Sequence, residues 1–349
     1  MRILVVGGAG YIGSHTVKAL IHEGFKPIVL DNLVFGDRSI VENVLKTPLI
    51  VGQAGDKGLI KSILSGTHPK TNGKKIDAII NFAAYTSVSE SIKNPSKYYR
   101  NNLGDALSML EVLVEHNELR NNKKINYSKI PIIFSSSCAT YGIKNVKNMP
   151  IKENTPQNPL NPYGKSKFMI EQILSDFSDA YGLSSISLRF FNAAGADPEC
   201  NIGENHEPET HLIPLIFDAL VDKKKSIKVF GDDYPTNDGT CIRDFIHVND
   251  LAQAHIIALK SLFNRDYCGF YNVGTGRGHS VLEVIEICKK VTNLELSIEI
   301  SERREGDAPV LIASPQKIMR ELGWKPSYPK LENIIEHAWR WYLKINSEK

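Results

Sequence analysis

The feature that most constrains this chain is a glycine-rich turn close to its N-terminus. A short apolar run over residues 2–6 leads directly into Gly7–Gly13, and a helix-length segment follows. Gly7, Gly10 and Gly13 recur every three residues, a spacing that allows a tight strand-to-helix turn whose backbone N–H groups can approach a pyrophosphate. The start of the helix adds partial positive charge at the same place. The sequence therefore predicts a dinucleotide-binding turn.

An acidic residue ends the second apolar run, over residues 26–31. Asp31 stands eighteen residues after Gly13. A carboxylate at this position accepts hydrogen bonds from a ribose 2′-hydroxyl and repels a 2′-phosphate. Asn32, not an Arg, immediately follows it. We therefore predict that the turn binds NAD rather than NADP.

The first half of the chain alternates short apolar runs with helix-length segments. Residues 76–82 and 130–135 are rich in Ile and other apolar side chains, whereas 102–116 and 163–181 carry apolar residues at helical spacing. Nearly continuous apolar strands indicate a sheet that is covered on both faces. The pattern predicts an α/β fold, a Rossmann-type doubly wound parallel sheet with a smaller C-terminal α/β substrate domain.

Composition sets the domain division and excludes several classes of function. From about Phe191 Pro and Gly become more frequent, so we assign residues 1–190 to a cofactor-binding domain with the catalytic groups and residues 191–349 to a substrate domain. Forty-two basic against 39 acidic side chains give a net charge of +3, too balanced to indicate a nucleic acid or a membrane surface as partner. No apolar run approaches the ~20 residues of a membrane span. We also expect no signal peptide.

The five cysteines predict a reducing environment. They are widely scattered and form no CxxC pair, so we expect no structural zinc site and no metal. Free thiols are typical of the cytoplasm, where we expect the protein to act.

A strand-end hydroxyl and a Tyr/Lys pair predict a proton-transfer site. Tyr163 and Lys167 are four residues apart and share one face of a helix, and Ser135–Ser137 end a predicted strand. A free Tyr has a pKa near ~10, so base catalysis near neutrality requires roughly 4 kcal/mol of stabilisation of the phenolate. One cation ~5–6 Å away supplies about 3 kcal/mol. We therefore expect Lys167 and an oxidised nicotinamide ring to lower the Tyr163 pKa together.

On these residues the chain resembles the extended short-chain dehydrogenase/reductases and, within them, the UDP-glucose 4-epimerases, over essentially its whole length. The motifs of the wider family are Gly7–Gly13, Asp31–Asn32, Phe82–Ala84, Tyr98–Asn102, Ser135–Ser137 with Tyr141–Gly142, and Asn161–Lys167. The later motifs are Arg189–Asn192, His211–Pro214, Gly231–Thr236, Asp238–Thr240, Arg243–Val248 and Arg303–Asp307. Those between Gly231 and Val248 are especially typical of the epimerases.

The resemblance implies an isomerase that interconverts UDP-galactose and UDP-glucose. It implies a tightly held NAD that takes hydride from carbon 4 and returns it to the other face of a 4-keto sugar within one turnover. Tyr163 is implied as the group that removes the proton of the 4-hydroxyl, and Ser137 as the hydrogen-bond partner of the reacting oxygen. Lys167 is implied to bind the nicotinamide ribose and to tune Tyr163.

The resemblance also implies two sets of contacts and a homodimer. The implied NAD contacts are Gly7, Gly10, Tyr11, Ile12, Gly13, Asp31, Asn32, Gln53, Ala54, Phe82, Ala83, Ala84, Asn101, Tyr163, Lys167 and Phe191. The implied nucleotide-sugar contacts are Ser137, Tyr163, Asn192, His211, Leu212, Arg243, Arg304 and Asp307. Guanidinium groups suit a diphosphate that is bound away from water, which supports the two arginines independently. The implied dimer forms through the helices before and after Ser137.

The chain departs from the family pattern at several positions. Gln53 stands where members usually carry an Asp near the adenine, Thr86 where some carry a Lys, and His211 where some carry an Asn. Leu311, four residues after Asp307, matches a position that resembles a gate of the sugar pocket. Its medium size leaves open whether an N-acetyl group fits.

Rival functions follow from the same motifs. A 4-epimerase acting on UDP-N-acetylglucosamine, UDP-glucuronate or UDP-arabinose fits them, and a non-catalytic NAD-binding sensor fits the fold. A 4,6-dehydratase is disfavoured, because it needs an Asp-Glu pair after the strand-end hydroxyl, where this chain has Cys138–Thr140.

Overall fold

The computed structural model describes residues 1–122, 129–142, 149–222, 225–304 and 307–347. They divide into two compact units. The first unit comprises Met1–Tyr141, Gln157–Arg189 and Ala252–Tyr271, and the second comprises Gly142–Pro156, Phe190–Leu251 and Asn272–Lys349. The expected assignment of cofactor binding to residues 1–190 and of substrate binding to 191–349 stays a prediction.

Strands and helices alternate along the described residues. The strands are β1 Arg2–Val6, β2 Lys26–Asp31, β3 Leu49–Val51, β4 Ala78–Asn81, β5 Ile132–Ser137, β6 Ser185–Phe190, β7 Asn192–Ala194, β8 Ser226–Phe230, β9 Ile242–Arg243, β10 Phe245–His247, β11 Cys268–Val273, β12 His279–Ser280, β13 Ser297–Ser301 and β14 Val310–Leu311. The α-helices are α1 Tyr11–His22, α2 Lys57–Ser65, α3 Val88–Lys93, α4 Pro95–Tyr98, α5 Ala106–Asn122, α6 Pro162–Tyr181, α7 Leu212–Val221, α8 Val248–Asn264, α9 Val281–Thr292, α10 Gln316–Leu322 and α11 Leu331–Ser347. None of these helices is long and apolar enough to cross a membrane.

The main sheet has seven strands in the order β11-β6-β5-β4-β1-β2-β3. Neighbours from β3 to β5 pair in parallel. The strand order reverses beside β1, and in open parallel sheets such a reversal marks the crevice where ligands bind. The predicted fold class, a Rossmann-type doubly wound sheet, is confirmed. Apolar side chains of β1, β2, β4 and β5 are buried together with those of α2, α5 and α6, which explains their near-continuous Ile, Leu and Val content.

Most predicted elements of the first unit are found with small shifts at their ends. The predicted strand over 76–82 is shorter, Ala78–Asn81, and that over 130–135 lies at Ile132–Ser137. The predicted helix over 102–116 is wrong at its start, because a π-helical turn occupies Tyr99–Asp105 before α5 begins.

A buried side chain accompanies this wide turn. Asn102 Oδ1 accepts a hydrogen bond from the backbone N–H of Tyr85 at 2.8 Å, and its Nδ2 donates to the Tyr85 carbonyl at 3.0 Å. The amide of Asn102 thus ties the turn to another segment. Apolar periodicity carries no signal for such a contact.

The second unit is built from short strands and three packed helices. β7 pairs with β10, β13 pairs with β8, and β9 lies between β12 and β14. Its core is formed mainly by buried side chains of α7, α9 and α11. Strands of two to five residues show little periodicity, which is why the sequence indicates only a loose pattern here.

The glycine turn generates a testable difference between two of its glycines. A Cβ at Gly13 would lie 2.2 Å from the carbonyl oxygen of Gly7, whereas a Cβ at Gly10 would come no closer than 3.6 Å to that oxygen. We expect Gly13→Ala to lower the free energy of unfolding by at least about 2 kcal/mol, since overpacking against backbone has no flexible side chain to relieve it. Gly10→Ala is the matched control and should change it by less than about 1 kcal/mol. Urea unfolding of both variants measures the difference, and equal losses would contradict the close approach.

Candidate active site

The glycine turn brings the backbone of β1 and α1 close to the end of β4. Gly7 has a φ of +77°, and a Cβ there would lie 2.7 Å from the backbone nitrogen of Ala83. α1 begins at Tyr11 with Gly10 as its N-cap and with no side-chain hydrogen bond to cap it. The N–H groups of Tyr11, Ile12 and Gly13 are therefore at a helix start that can accept an anionic group. The turn fits the pyrophosphate of a dinucleotide.

Asp31 holds the glycine turn in place. Its Oδ2 accepts a hydrogen bond from the Ala9 N–H at 2.9 Å, and its Oδ1 accepts one from the Leu33 N–H at 2.8 Å. Burial raises the pKa of this carboxyl, while the two backbone hydrogen bonds lower it. Because a carboxylate has about four acceptor positions, both oxygens retain capacity for a ribose hydroxyl.

A hydrogen-bonded network of amide side chains begins at Asn32, the residue after Asp31. Asn32 Nδ2 donates to Gln53 Oε1 at 3.2 Å. Gln53 Nε2 in turn donates to Asp105 Oδ2 at 2.6 Å and lies 3.5 Å from Asn101 Oδ1. Gln53, which departs from the family pattern, is thereby connected to two of the other predicted NAD contacts. Asp105 is a member that sequence reasoning missed, and burial raises the pKa of its carboxyl.

The remaining predicted cofactor residues of the first unit follow the ends of its strands. Ala54 comes shortly after β3, and Phe82–Ala84 come directly after β4. The Phe82 ring packs against the ring of His255 with centroids 4.7 Å apart, and His255 Nε2 lies 3.0 Å from Ser135 Oγ. Parallel strands put these ends on one edge of the sheet, as the sequence predicts.

The structure brings Ser137, Tyr163 and Lys167 together. Asn161 caps α6 by accepting a hydrogen bond from the Gly164 N–H at 2.8 Å, which sets the start of the helix that carries Tyr163 and Lys167. A hydrogen bond joins the side chains of Tyr163 and Ser137, and all three catalytic candidates are buried.

Lys167 is held by the strand that it faces. Its Nζ donates to the carbonyl oxygen of Ser135 at 2.7 Å and lies 4.8 Å from the ring centroid of Phe134. The ammonium group is therefore fixed between a backbone dipole and an aromatic face.

Burial dominates the acid–base properties of the Tyr/Lys pair. Burial raises the pKa of Tyr163 to about 12, against the smaller lowering effect of its hydrogen bond with Ser137. Burial also lowers the pKa of Lys167 to about 7, although the negative charge of Glu171 favours the ammonium form. The residues around Tyr163 thus leave its pKa above the ordinary value, and the joint lowering expected from Lys167 and an oxidised nicotinamide ring stays a prediction. The phenolate needs positive charge beside the ring before it can form near neutrality.

A buried ion pair that sequence reasoning missed lies one turn along α6 from Lys167. Arg189, on β6, donates from Nε to Glu171 Oε1 at 3.0 Å and from Nη2 to Glu171 Oε2 at 2.7 Å. Arg189 also donates to the Tyr141 hydroxyl at 2.9 Å. Glu171 accepts a further hydrogen bond from Ser136 Oγ, the neighbour of Ser137. The pair therefore ties β5, β6 and α6 together behind the catalytic candidates.

In the second unit, three positions that the sequence singles out lie at or just before the paired strands β9 and β14. They are Arg243, Asp307 and Leu311. Arg243 Nη1 donates to the carbonyls of Ile242 and Ala308 at 2.9 and 2.8 Å, and its Nη2 lies 3.5 Å from Asp307 Oδ1. Leu311 on β14 is the register partner of Arg243 on β9. A largely buried guanidinium and a leucine side chain thus occupy paired positions on two adjacent strands.

The other predicted residues of the second unit are on separate elements. Arg304 is exposed, with its guanidinium 3.9 Å from the ring centroid of Phe230. His211 is the N-cap of α7 and Leu212 its first residue. Asn192 begins β7 and donates its backbone N–H to the carbonyl of Asp244 at 3.0 Å, and the residue before it, Phe191, is buried.

Comparison with known proteins gives one family. The model of the NAD dependent epimerase/dehydratase family matches residues 3–274. The chain is 45% identical over 342 residues to a UDP-glucose 4-epimerase of Halalkalibacterium halodurans, covering 98% of this chain and 96% of that protein.

Solved structures give the same result. The fold is similar to that of the Brucella ovis UDP-glucose 4-epimerase in complex with NAD, with a TM-score of 0.87, 41% identity and 97% of each chain covered. It is also similar to the Bifidobacterium longum UDP-glucose 4-epimerase in complex with NAD⁺ and UDP, with a TM-score of 0.88, 34% identity and 100% of each chain covered.

The Glu171–Arg189 pair generates a prediction about stability. We expect Glu171→Gln to lower the free energy of unfolding by about 3–5 kcal/mol, because it leaves the Arg189 charge buried without its counter-charge. Glu111→Gln is the matched control: Glu111 pairs with Lys57 at 2.6 Å, but the two side chains are 47% and 58% exposed, so the loss should be under about 1 kcal/mol. Denaturant unfolding measures both. A loss at Glu171 as small as that at Glu111 would show that the buried pair contributes little.

Proposed function

Because the chain belongs to the NAD-dependent epimerase/dehydratase family, we propose that it interconverts UDP-glucose and UDP-galactose by inverting carbon 4 of the sugar through a 4-keto intermediate. The observation that carries this proposal is the group formed by Ser137, Tyr163 and Lys167 in the unit that also holds the glycine turn. An epimerase needs a proton-transfer group and a bound redox cofactor. This unit has residues suited to proton transfer and a turn suited to binding a dinucleotide.

The residues that would hold NAD are those of the glycine turn and the strand ends. The N–H groups at the start of α1 would hold the pyrophosphate, and Asp31 would accept hydrogen bonds from the adenosine ribose. Asn32 and Gln53 would contact the adenine end, and Lys167 would bind the nicotinamide ribose. Bound NAD supplies a reversible hydride acceptor for carbon 4 of the sugar.

The chain itself supplies the proton chemistry. Tyr163 Oη takes the proton of the sugar 4-hydroxyl and returns it after the sugar has presented its other face. Ser137, hydrogen-bonded to Tyr163, orients the reacting oxygen. Because burial keeps the phenol neutral, the proton would leave Oη only when positive charge is close to the ring.

The second unit supplies the groups that bind UDP. Arg243 and Arg304 carry fixed positive charge for the diphosphate, and Asn192, His211 and Asp307 provide hydrogen-bonding groups for the nucleotide and the sugar. Leu212, next to His211 at the start of α7, contributes an apolar contact.

Two properties of the whole protein belong to the same proposal. We place the enzyme in the cytoplasm, in keeping with five free cysteines. We also propose a homodimer that forms through α5 and α6, where Leu119 and Met169 are 52% and 38% exposed.

An assay without added cofactor tests the function. The purified protein should convert UDP-galactose to UDP-glucose with the NAD that it retains. Tyr163→Phe should retain NAD but lose at least about 100-fold in turnover, the contribution expected of one positioned proton-transfer group. Tyr181→Phe is the control, because Tyr181 is an exposed tyrosine at the end of the same helix. Turnover at the wild-type rate in Tyr163→Phe would refute the assigned role, and a protein inactive on every UDP-sugar after addition of NAD would refute the function.

The position of Leu311 generates a prediction about sugar size. Because Leu311 pairs with Arg243 across β9 and β14, a larger side chain there should crowd the sugar more than the diphosphate. We expect Leu311→Tyr to reduce kcat/KM for UDP-N-acetylgalactosamine by about 10-fold or more relative to that for UDP-galactose, as steric exclusion of a small group allows. The same change at exposed Leu343 is the control. Parallel assays on the two substrates decide, and an equal loss for both would exclude a gating role.

A further inference from the structure

Four side chains of types that can ligate a metal lie close together in the segment that leads into α7. They are Glu204, His206, Glu209 and His211, and one ligand atom of each lies within 4.8 Å of the others. His211 Nδ1 is 2.8 Å from Glu204 Oε1 and 2.8 Å from Glu209 Oε1. His206 Nδ1 is 3.2 Å from the same oxygen of Glu204. Two imidazole nitrogens and two carboxylate oxygens therefore form one compact group.

Hydrogen bonds position the carboxylate of Glu209 and the backbone of Glu204. Glu209 Oε1 accepts the N–H groups of Thr210 and His211 at 2.7 and 2.8 Å, so its position is set by its own loop. The Glu204 carbonyl accepts Trp341 Nε1–H of α11 at 2.8 Å, which anchors the other end of the segment. The side chains of Glu204 and Glu209 are only 10% and 16% exposed. The group is thus largely organised before any ligand arrives.

Without a metal ion, hydrogen bonds from the histidine nitrogens connect these groups. A carboxylate can only accept a hydrogen bond, so the contacts of His211 Nδ1 with Glu204 and Glu209 require a proton on that nitrogen. A dication placed at the same point would neutralise both carboxylates and use the nitrogens of both histidines. Ligand atoms around a tetrahedral Zn²⁺ lie about 3.3 Å apart for bonds of ~2.0–2.1 Å, so the 2.8 and 3.2 Å contacts would open slightly and the widest separation in the group, within 4.8 Å, would close.

We propose that Glu204, His206, Glu209 and His211 bind a transition-metal dication of the zinc class. A donor set of two imidazoles and two carboxylates favours Zn²⁺ or Co²⁺, whereas Ca²⁺ and Mg²⁺ prefer oxygen ligands alone. The ion would crosslink the segment between the Trp341 contact and the N-cap of α7. Its role would be that of a structural clamp, and because His211 also belongs to the proposed substrate contacts, the ion would share this residue with the proposed UDP-sugar site.

Direct metal binding to the full chain tests the assignment. Chelator-treated protein is titrated with Zn²⁺ by calorimetry and with Co²⁺ by visible absorption, with Mg²⁺ as the negative control. We expect one Zn²⁺ per chain and a tetrahedral Co²⁺ spectrum. His206→Ala and Glu204→Gln should each weaken Zn²⁺ binding at least about 100-fold, since losing a ligand costs no less than losing a group that orients one. His22→Ala, at an exposed histidine of α1, is the control and should bind as the wild type does.

Two results would overturn the assignment. One is a wild-type protein that binds no Zn²⁺, which needs no variant to interpret. The other is equal binding by wild type, His206→Ala and Glu204→Gln in folded samples, as judged by circular dichroism. Because the readout is metal bound rather than turnover, failure here is distinguishable from failure of the epimerase function.

Discussion

Burial of three charged side chains next to one another is the constraint on which the arrangement of Ser137, Tyr163 and Lys167 depends. Lys167, Glu171 and Arg189 are all at most 3% exposed. An isolated ion in such a place would cost several kcal/mol, so each must be matched by charge and hydrogen bonds. Glu171 accepts from Arg189 and from Ser136, and Lys167 donates to the carbonyl of Ser135. Satisfying these groups together fixes α6 against the end of β5, and thereby fixes where Tyr163 is presented.

Local patterns explain why so much of the first unit could be predicted. The glycine spacing and the apolar runs of β1, β2 and β5 each lie within a few residues. A single short segment therefore contains the whole signal for each of these features. The group of Ser137, Tyr163 and Lys167 needed one further step, the rule that parallel strands end at a common edge. What could not be predicted depends on distant segments. Nothing near Arg189 marks Glu171 as its partner.

The second unit was less predictable because its contacts are made between short and separated strands. The two-residue strands β9 and β14 put Leu311 beside Arg243, a register that no periodicity encodes. Resemblance singled out Arg243 and Asp307, but it did not indicate that their side chains approach one another at 3.5 Å. The expectation of no metal site followed the cysteines alone and stays a prediction. Four of the five histidine and glutamate side chains from Glu204 to His211 form the group for which we propose a metal ion.

The opposite pKa shifts of Tyr163 and Lys167 show how the buried Glu171 carboxylate affects the charge state of Lys167. Burial disfavours both the phenolate and the ammonium ion, so the pair by itself favours its two neutral forms. Any positive charge that helps to form the phenolate also discourages a proton on Lys167. The negative charge of Glu171, one helical turn away, opposes part of this effect, although burial still lowers the pKa of Lys167 to about 7. The residue that secures the packing of α6 is therefore also the one that favours the ammonium form of Lys167.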